Sequence, residues 1–251
     1  MSALLTRRTL VTAGLTVAAG ATGVTAASRY NLIPPDYGGI FGIGETLTYS
    51  AQRLLTSGHS MAREFKRSDI SKAPVVNGPA PKDEAFRALA ADGFKDWRLQ
   101  IEGLIARPVS FSLDELKRLP MESHIVLHAC EQGWSYIAEW TGVRLSSVLD
   151  LVKTRPEARY LVVMPFPNPR QTTGEVRVQW DSIDMADALH PQTLLAYGMN
   201  GEALPADFGA PLRLRMSRQL GYKNTKYLSR IILTDDMGLY RKGDGTWYGG
   251  I

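Results

Sequence analysis

Residues 194–233, LLAYGMNGEALPADFGAPLRLRMSRQLGYKNTKYLSRIIL, decide the fold class. Leu194–Met199 and the residues after Gly201 read as paired strands, because Asn200-Gly201 supplies the two left-handed residues of a type I′ turn. PLRLRM (211–216) and YLSRIIL (227–233) read as two further strands. Upstream, RYLVVMPF (159–166) reads as a buried strand and VRVQW (176–180) as another, and IDMADAL (183–189) as a short helix ending before His190-Pro191. GVRLSSVLDLV (142–152) sets Leu145, Val148, Leu149 and Val152 at helical spacing. SHIVLHAC (123–130) is a strand with Cys130 at its end. Ser112 and Glu115 form a capping box ahead of LDELKRL, which stops at Pro120. Trp97, Leu99 and Ile101 alternate with Arg98, Gln100 and Glu102, a half-buried strand ending at Gly103. Strands outnumber helices without alternating regularly with them, so the expectation is an α+β domain rich in β-structure and not a doubly wound sheet.

The chain has 251 residues, 44% hydrophobic and 22% charged, which suits one globular domain. A net charge of +4 does not argue for nucleic acid, and no Walker loop, dinucleotide fingerprint, zinc spacing or repeat is present. Residues 1–27 place Arg7-Arg8 before a weakly apolar run. That layout reads as a twin-arginine signal segment, implying folded export to the periplasm. Residues 28–80, punctuated by Pro and Gly, read as an irregular lead-in arm with a helix over 45–55. The arm either wraps the domain or closes in part over a ligand. Residues 81–251 are the expected catalytic domain.

Cys130 is the only cysteine, so no internal disulfide forms. A lone cysteine is often a small buried hydrophobe. At a strand end followed by a polar turn, it would also serve as a nucleophile or a soft metal ligand. His128, two residues back on the same strand face, is the base that a thiol hydrolase would need. The second constellation lies in 209–231. Arg213, Arg215, Arg218, Lys223 and Lys226 crowd a segment whose loop adds Gly221, Asn224 and Thr225. Cationic donors beside fixed backbone and amide dipoles suit a phosphate, and a solvated basic face is the alternative.

Together, CEQGWS (130–135), WTGVRLSSVLD (140–150), HPQTL (190–194), NGEALP (200–205), GAPLRL (209–214) and GYKNTK (221–226) resemble, in order, the motifs of the sulfite-oxidase-type molybdopterin-dependent oxidoreductases. Within that family the chain looks like the catalytic subunits of periplasmic methionine sulfoxide reductases. The resemblance implies Cys130 as the thiolate ligand of molybdenum. It also implies that Arg213, Asn224, Thr225 and Lys226 hold the molybdopterin, with Lys223 beside them and Arg63 and Glu64 contributing from the arm. Phe208 departs from the family's polar residue before Gly-Ala-Pro.

The activity implied is oxygen-atom transfer at molybdenum. CEQGWS lacks the arginine that follows the cysteine in sulfite oxidases, which favours reduction of a small or protein-bound oxidised sulfur substrate. Sulfite oxidation and a redox-inert cofactor-binding module are the alternatives. His128, Glu131, Gln132, Trp134, Arg170 and Arg177 are candidate pocket residues. No haem motif is present, so the family implies an electron-transfer partner, a membrane cytochrome or cytochrome c. The expected state is a monomer.

Overall fold

In the computed structural model of the chain, the described residues are 60–236 except 79, 83 and 167–179, with positions 47, 50, 51, 54 and 55. The chain divides into two units, Met1–Ser57 and Gly58–Ile251. Of the first, Leu47, Ser50, Ala51, Leu54 and Leu55 are helical, within the segment where a helix is expected. The signal segment lies outside the described residues. Among those described, no helix is long and apolar enough to cross a membrane.

The second unit holds two five-stranded sheets. One has the order β2-β1-β10-β5-β6, from Val109–Ser112 (β2), Arg98–Gly103 (β1), Leu228–Thr234 (β10), Tyr160–Pro165 (β5) and Asp181–Asp184 (β6). Only the β1–β10 pairing is parallel. The other is antiparallel, in the order β3-β4-β7-β8, from Met121–Ala129 (β3), Ser135–Arg144 (β4), Thr193–Met199 (β7) and Glu202–Ala203 (β8), with Arg213–Met216 (β9) on β7. Among the described residues of this unit, the α-helices are Glu84–Ala91 (α1), Leu113–Lys117 (α2), Leu145–Leu151 (α3) and Met185–Ala188 (α4). This is the α+β architecture expected.

Strand alternation sorts side chains onto two faces. Leu99, Ile101, Leu161, Val163, Ile231 and Leu233 of the first sheet share one buried cluster with Val143, Leu195, Leu214 and Met216 of the second, and with Leu145, Val148 and Leu149 of α3. The opposite face of the second sheet carries a smaller cluster of Val126, Tyr136, Ala138, Trp140, Ala196 and Met199. Arg213 and Arg215 alternate with Leu214 and Met216 along β9, so the leucine and methionine enter the main core and the arginines face the other way. The functional site is built on that face.

Local rules explain the elements the sequence announces. Both arms of the Ser112–Glu115 capping box form at α2. Asn200 and Gly201 have φ of 54° and 86°, turning β7 into β8. Other elements depart from expectation. The helix expected from 142 starts at Leu145; residues 142–144 finish β4, a strand that the sequence reading did not place. Gly142 lies against the Leu195 and Ala196 backbone where the β4–β7 register shifts. Residues 176–179 of the expected strand at 176–180 lie outside the described residues. Trp180 is not in a strand, and the strand begins at Asp181. Four buried residues, DSID, form β6; their polar side chains hide the strand from a hydrophobic pattern. α1 and β2 were likewise unannounced.

The described part of the arm pairs with the second sheet. Glu64 bridges Val126, the Phe65 N–H donates to the Ile125 carbonyl, and the Ser71 N–H donates to Ile137 of β4.

Adding a Cβ at Gly142 would bring it 2.2 Å from the Leu195 oxygen and 2.7 Å from the Ala196 Cα, atoms that move only with the sheet. Gly142→Ala is expected to cost roughly 1–3 kcal/mol, read as a lower urea midpoint. An unchanged midpoint would contradict this packing.

Candidate active site

Arg213 and Arg215 are 3% and 1% exposed. Among the described residues neither has a carboxylate within ion-pair distance. Arg213 donates to the carbonyls of Phe208 (2.9 Å) and Asn224 (3.0 Å). Its guanidinium sits 4.7 Å from the Trp140 ring centroid, and that of Arg215 sits at 5.5 Å. These ring faces contribute cation–π attraction but no negative charge. Burial, then the neighbouring Arg213, holds Arg215 below the usual guanidinium range. The face therefore carries positive charge that carbonyl and ring partners solvate without neutralising.

The loop after β9 closes over this charge. The Asn224 side-chain oxygen accepts from the Met216 N–H at 2.6 Å and its amide donates to the Leu220 carbonyl at 2.7 Å. The Lys226 ammonium donates to the carbonyls of Asn77 (2.8 Å), Gly78 (2.9 Å) and Asp207 (2.8 Å). Burial, then Arg213, lowers Lys226 to about 8. Two of its three partners belong to the arm.

These elements enclose a cavity of about 450 Å³. His128, Arg213, Asn224, Thr225 and Lys226 line it, with Trp134, Tyr136, Phe208 and Tyr227; Val75, Asn77 and Pro81 complete one wall. The described part of the arm from residue 60 onward therefore lies along the second sheet and contributes Val75 and Asn77 to a ligand-sized space.

His128 ends β3 on this face. Its ring lies 4.9 Å from Tyr136 and 5.9 Å from Trp134, and those two rings stack at 6.1 Å. Burial first, then Arg213, Arg215 and Lys226, pushes His128 down to about 2, so the imidazole is neutral at ordinary pH. Cys130 follows Ala129 at the strand end and is buried. Its thiol donates to the Glu131 carboxylate (3.4 Å) and its sulfur accepts from the Gln132 N–H (3.5 Å). Burial raises the thiol above its usual range. Cys130 is not part of the cavity wall; its neighbours His128 and Trp134 are.

The structure thus brings together His128, Arg213, Asn224, Thr225 and Lys226, with Cys130 at the adjoining strand end. Three expected contacts fall elsewhere. Lys223 is 1% exposed and not part of the cavity wall; its ammonium donates to Asp181 (3.0 Å), which does line the cavity, and to the Ser182 carbonyl (2.7 Å). Glu64 is held by His124 (2.9 Å) and Gln192 (3.1 Å). The Arg63 guanidinium lies over the Phe65 ring at 4.8 Å. Pairing at the outer edge of β3 fixes both arm residues away from the cavity wall. Arg170 and Arg177 lie outside the described residues. Tyr136, Trp140 and Tyr227 were not anticipated: aromatic residues read as core until their neighbours are known.

Buried polar atoms without partners show what the cavity accepts. Arg213 Nε, the Tyr227 hydroxyl and His128 Nδ1 are all unpaired. An anionic group rich in hydrogen-bonding atoms would satisfy donors that are costly to leave open. A pterin bearing a phosphate matches this donor set, and the thiol at the strand end matches a soft metal. Arg213, Asn224, Thr225 and Lys226 are the residues placed to hold it. Among the described residues no cluster of three or more His, Cys, Asp or Glu side chains converges to hold a metal ion.

A family model described as the oxidoreductase molybdopterin binding domain matches residues 87–239. The chain belongs to this molybdopterin-binding family. It is a molybdenum-dependent oxidoreductase with molybdopterin as cofactor. It is 37% identical over 201 residues, 79% of this chain and 71% of the relative, to a putative protein-methionine-sulfoxide reductase subunit, YedZ1, of Azospira oryzae. It is 32% identical over 240 residues, 92% of this chain and 70% of the relative, to the protein-methionine-sulfoxide reductase catalytic subunit MsrP of Gluconobacter oxydans. Among solved structures it is similar to the sulfane dehydrogenase SoxCD of Paracoccus pantotrophus, with 25% identity and a TM-score of 0.50. That likeness covers 57% of this chain and only 39% of the SoxCD chain.

Two outcomes follow from the site. In cofactor-free protein the unfolded chain protonates His128 below its ordinary 6.5 while the folded form does not until about 2. Stability is therefore lost as pH falls below 6.5. Between pH 6.5 and 4.5, wild type is expected to lose about 2–3 kcal/mol more than His128→Phe, measured by urea unfolding; equal losses would contradict a neutral buried ring. Lys226→Met removes the donor shared by Asn77 and Gly78, so trypsin is expected to cleave after Lys72 or Lys82 severalfold faster. An unchanged rate would show that Lys226 does not hold the arm.

Proposed function

We propose that this oxidoreductase reduces sulfoxide sulfur, with methionine sulfoxide in peptides or proteins as the substrate class. In this reading the Cys130 thiolate is the protein ligand of the molybdenum. The observation that carries the reading is the cavity wall next to Cys130 in the chain: His128, held neutral by burial, and the stacked rings of Trp134 and Tyr136. Aromatic faces favour a sulfur-bearing methyl group, and a neutral imidazole neither attracts nor repels an uncharged S=O group. A sulfite dianion would call for cationic donors at that position. The names borne by the relatives in Azospira and Gluconobacter point to the same substrate class.

When bound, the molybdenum centre supplies two-electron oxygen-atom transfer. Reducing one sulfoxide consumes two electrons and two protons and yields a thioether and water. The electrons come from an electron-transfer protein, a membrane cytochrome or a soluble cytochrome c. The chain's own residues do the rest. Arg213 and Lys226 would neutralise the cofactor's phosphate, Thr225 would offer it a neutral polar contact, Asn224 shapes the loop that holds it, and the aromatic rings would limit water at the reacting sulfur. Loading of the cofactor before folded export accounts for Arg7-Arg8, and the periplasm is the proposed location.

The test uses protein made in a host that synthesises the cofactor. Dye-coupled turnover is measured with a methionine sulfoxide peptide and, separately, with sulfite. Wild type is expected to hold near one molybdenum and one pterin per chain and to turn over the sulfoxide. Cys130→Ser is expected to fall to background turnover and to lose molybdenum while remaining folded. Sulfite turnover without sulfoxide turnover, or full molybdenum in Cys130→Ser, would overturn the substrate or the ligand assignment respectively.

A further inference from the structure

Arg215 stands apart from the residues that line the cavity, yet its guanidinium touches three elements that build it. Nη1 donates to the Asn224 side-chain oxygen at 2.9 Å and to the Met216 carbonyl at 2.7 Å. Nη2 donates to the Leu127 carbonyl at 2.8 Å. β9 and β3 are not neighbours in the sheet: β4 and β7 lie between them in the strand order. The Leu127 carbonyl is on the edge of β3 away from β4. Ile125, two residues earlier and on the same edge, takes the Phe65 N–H, and residues two apart point the same way. After Phe65, the next outward acceptor would be open but for Arg215.

The position of that bond matters. Leu127 immediately precedes His128, and Cys130 is three residues on. On the other side, Asn224 staples the loop whose Gly221 abuts this strand end: a Cβ on Gly221 would meet His128 Nε2 at 3.0 Å and the Ala129 oxygen at 3.4 Å. Loop and strand end therefore meet without spare room, and Arg215 bonds to both sides of the junction. A planar, forked guanidinium serves these divergent acceptors at once, which a single ammonium does not.

We propose that Arg215 is a positioning residue that fixes the distance between the cofactor-holding loop at Asn224 and the strand end bearing His128 and Cys130. The proposal rests on the reading of that strand end as the metal-binding side of the site. A guanidinium held at 1% exposure, away from the cavity wall and without a carboxylate among the described residues, is a costly way to build a core. Its two-sided bonding gives that cost a function.

The experiment compares wild type, Arg215→Lys and Arg215→Ala as cofactor-loaded enzymes. Molybdenum and pterin content, kcat, KM and the Mo(V) electron paramagnetic resonance spectrum are read on each. Arg215→Lys keeps the charge and loses the fork. It is expected to hold wild-type molybdenum, with kcat lowered about tenfold or more, KM within about twofold, and shifted Mo(V) g-values. Arg215→Ala is expected to regain part of its kcat in millimolar guanidinium, a recovery that a merely destabilised protein would not show. Loaded Arg215→Lys with wild-type kcat and spectrum, or Arg215→Ala insensitive to guanidinium, overturns the proposal. Wild type without molybdenum and pterin would instead sink the underlying reading of the site.

Discussion

Two arginines buried side by side, with no carboxylate in ion-pair contact among the described residues, are the constraint around which the rest of this site is arranged. Arg213, Arg215 and Lys226 sit on one side of the second sheet. Their partners are backbone carbonyls, one amide oxygen and the aromatic side chains of Tyr136, Trp140 and Tyr227, and the exposed Asp207 carboxylate attracts Lys226. Carbonyl dipoles solvate such charge only in part, and like charges nearby add repulsion. Arg213 and Arg215 keep their charge without a carboxylate partner, which suits this side of the cavity to an anion such as the phosphate of the family's molybdopterin.

The fold supports that arrangement through strand alternation. In β9, Leu214 and Met216 anchor the strand in the main core, and this fixes the direction in which Arg213 and Arg215 must point. The main cluster thus holds the backbone rigid while the opposite face carries the strain of burying charge. The loop stapled by Asn224 and the arm held by Lys226 shield that face from water. Shielding strengthens every electrostatic interaction inside.

Much of the frame was legible in the sequence, for identifiable reasons. β1 alternates apolar and polar residues, β5 is a short apolar run, β10 carries the apolar stretch IIL, and the β7–β8 hairpin carries the Asn-Gly that its turn geometry requires. β4 was not legible, because SYIAEWTGVR interrupts its apolar residues with Ser, Glu and Gly, and a helical spacing beginning at Leu145 drew its last residues into the wrong element. β6 was hidden because its residues are polar and buried by pairing. In the site, Arg213, Asn224, Thr225 and Lys226 stand out in the sequence as one cluster, and the structure sets all four on the wall of one cavity. Lys223 and Lys226 look alike in sequence, but only the structure shows that Asp181 claims one of them. For Arg63 and Glu64, pairing along the β3 edge and not their chemistry decides where they point, which the sequence does not show. Cys130 stands out in the sequence as a lone cysteine at a strand end; the stacked Trp134 and Tyr136 rings beside its strand are visible only in the structure.

The central claim is that the buried cations are stabilised by the cofactor they hold. Thermal unfolding of cofactor-loaded and cofactor-free protein, side by side at the same pH and salt, tests it most directly. The loaded protein should unfold several degrees higher, because a ligand bound only by the folded state raises its stability, and Arg213→Met should erase most of the difference. Equal midpoints for loaded and cofactor-free wild type would contradict the account.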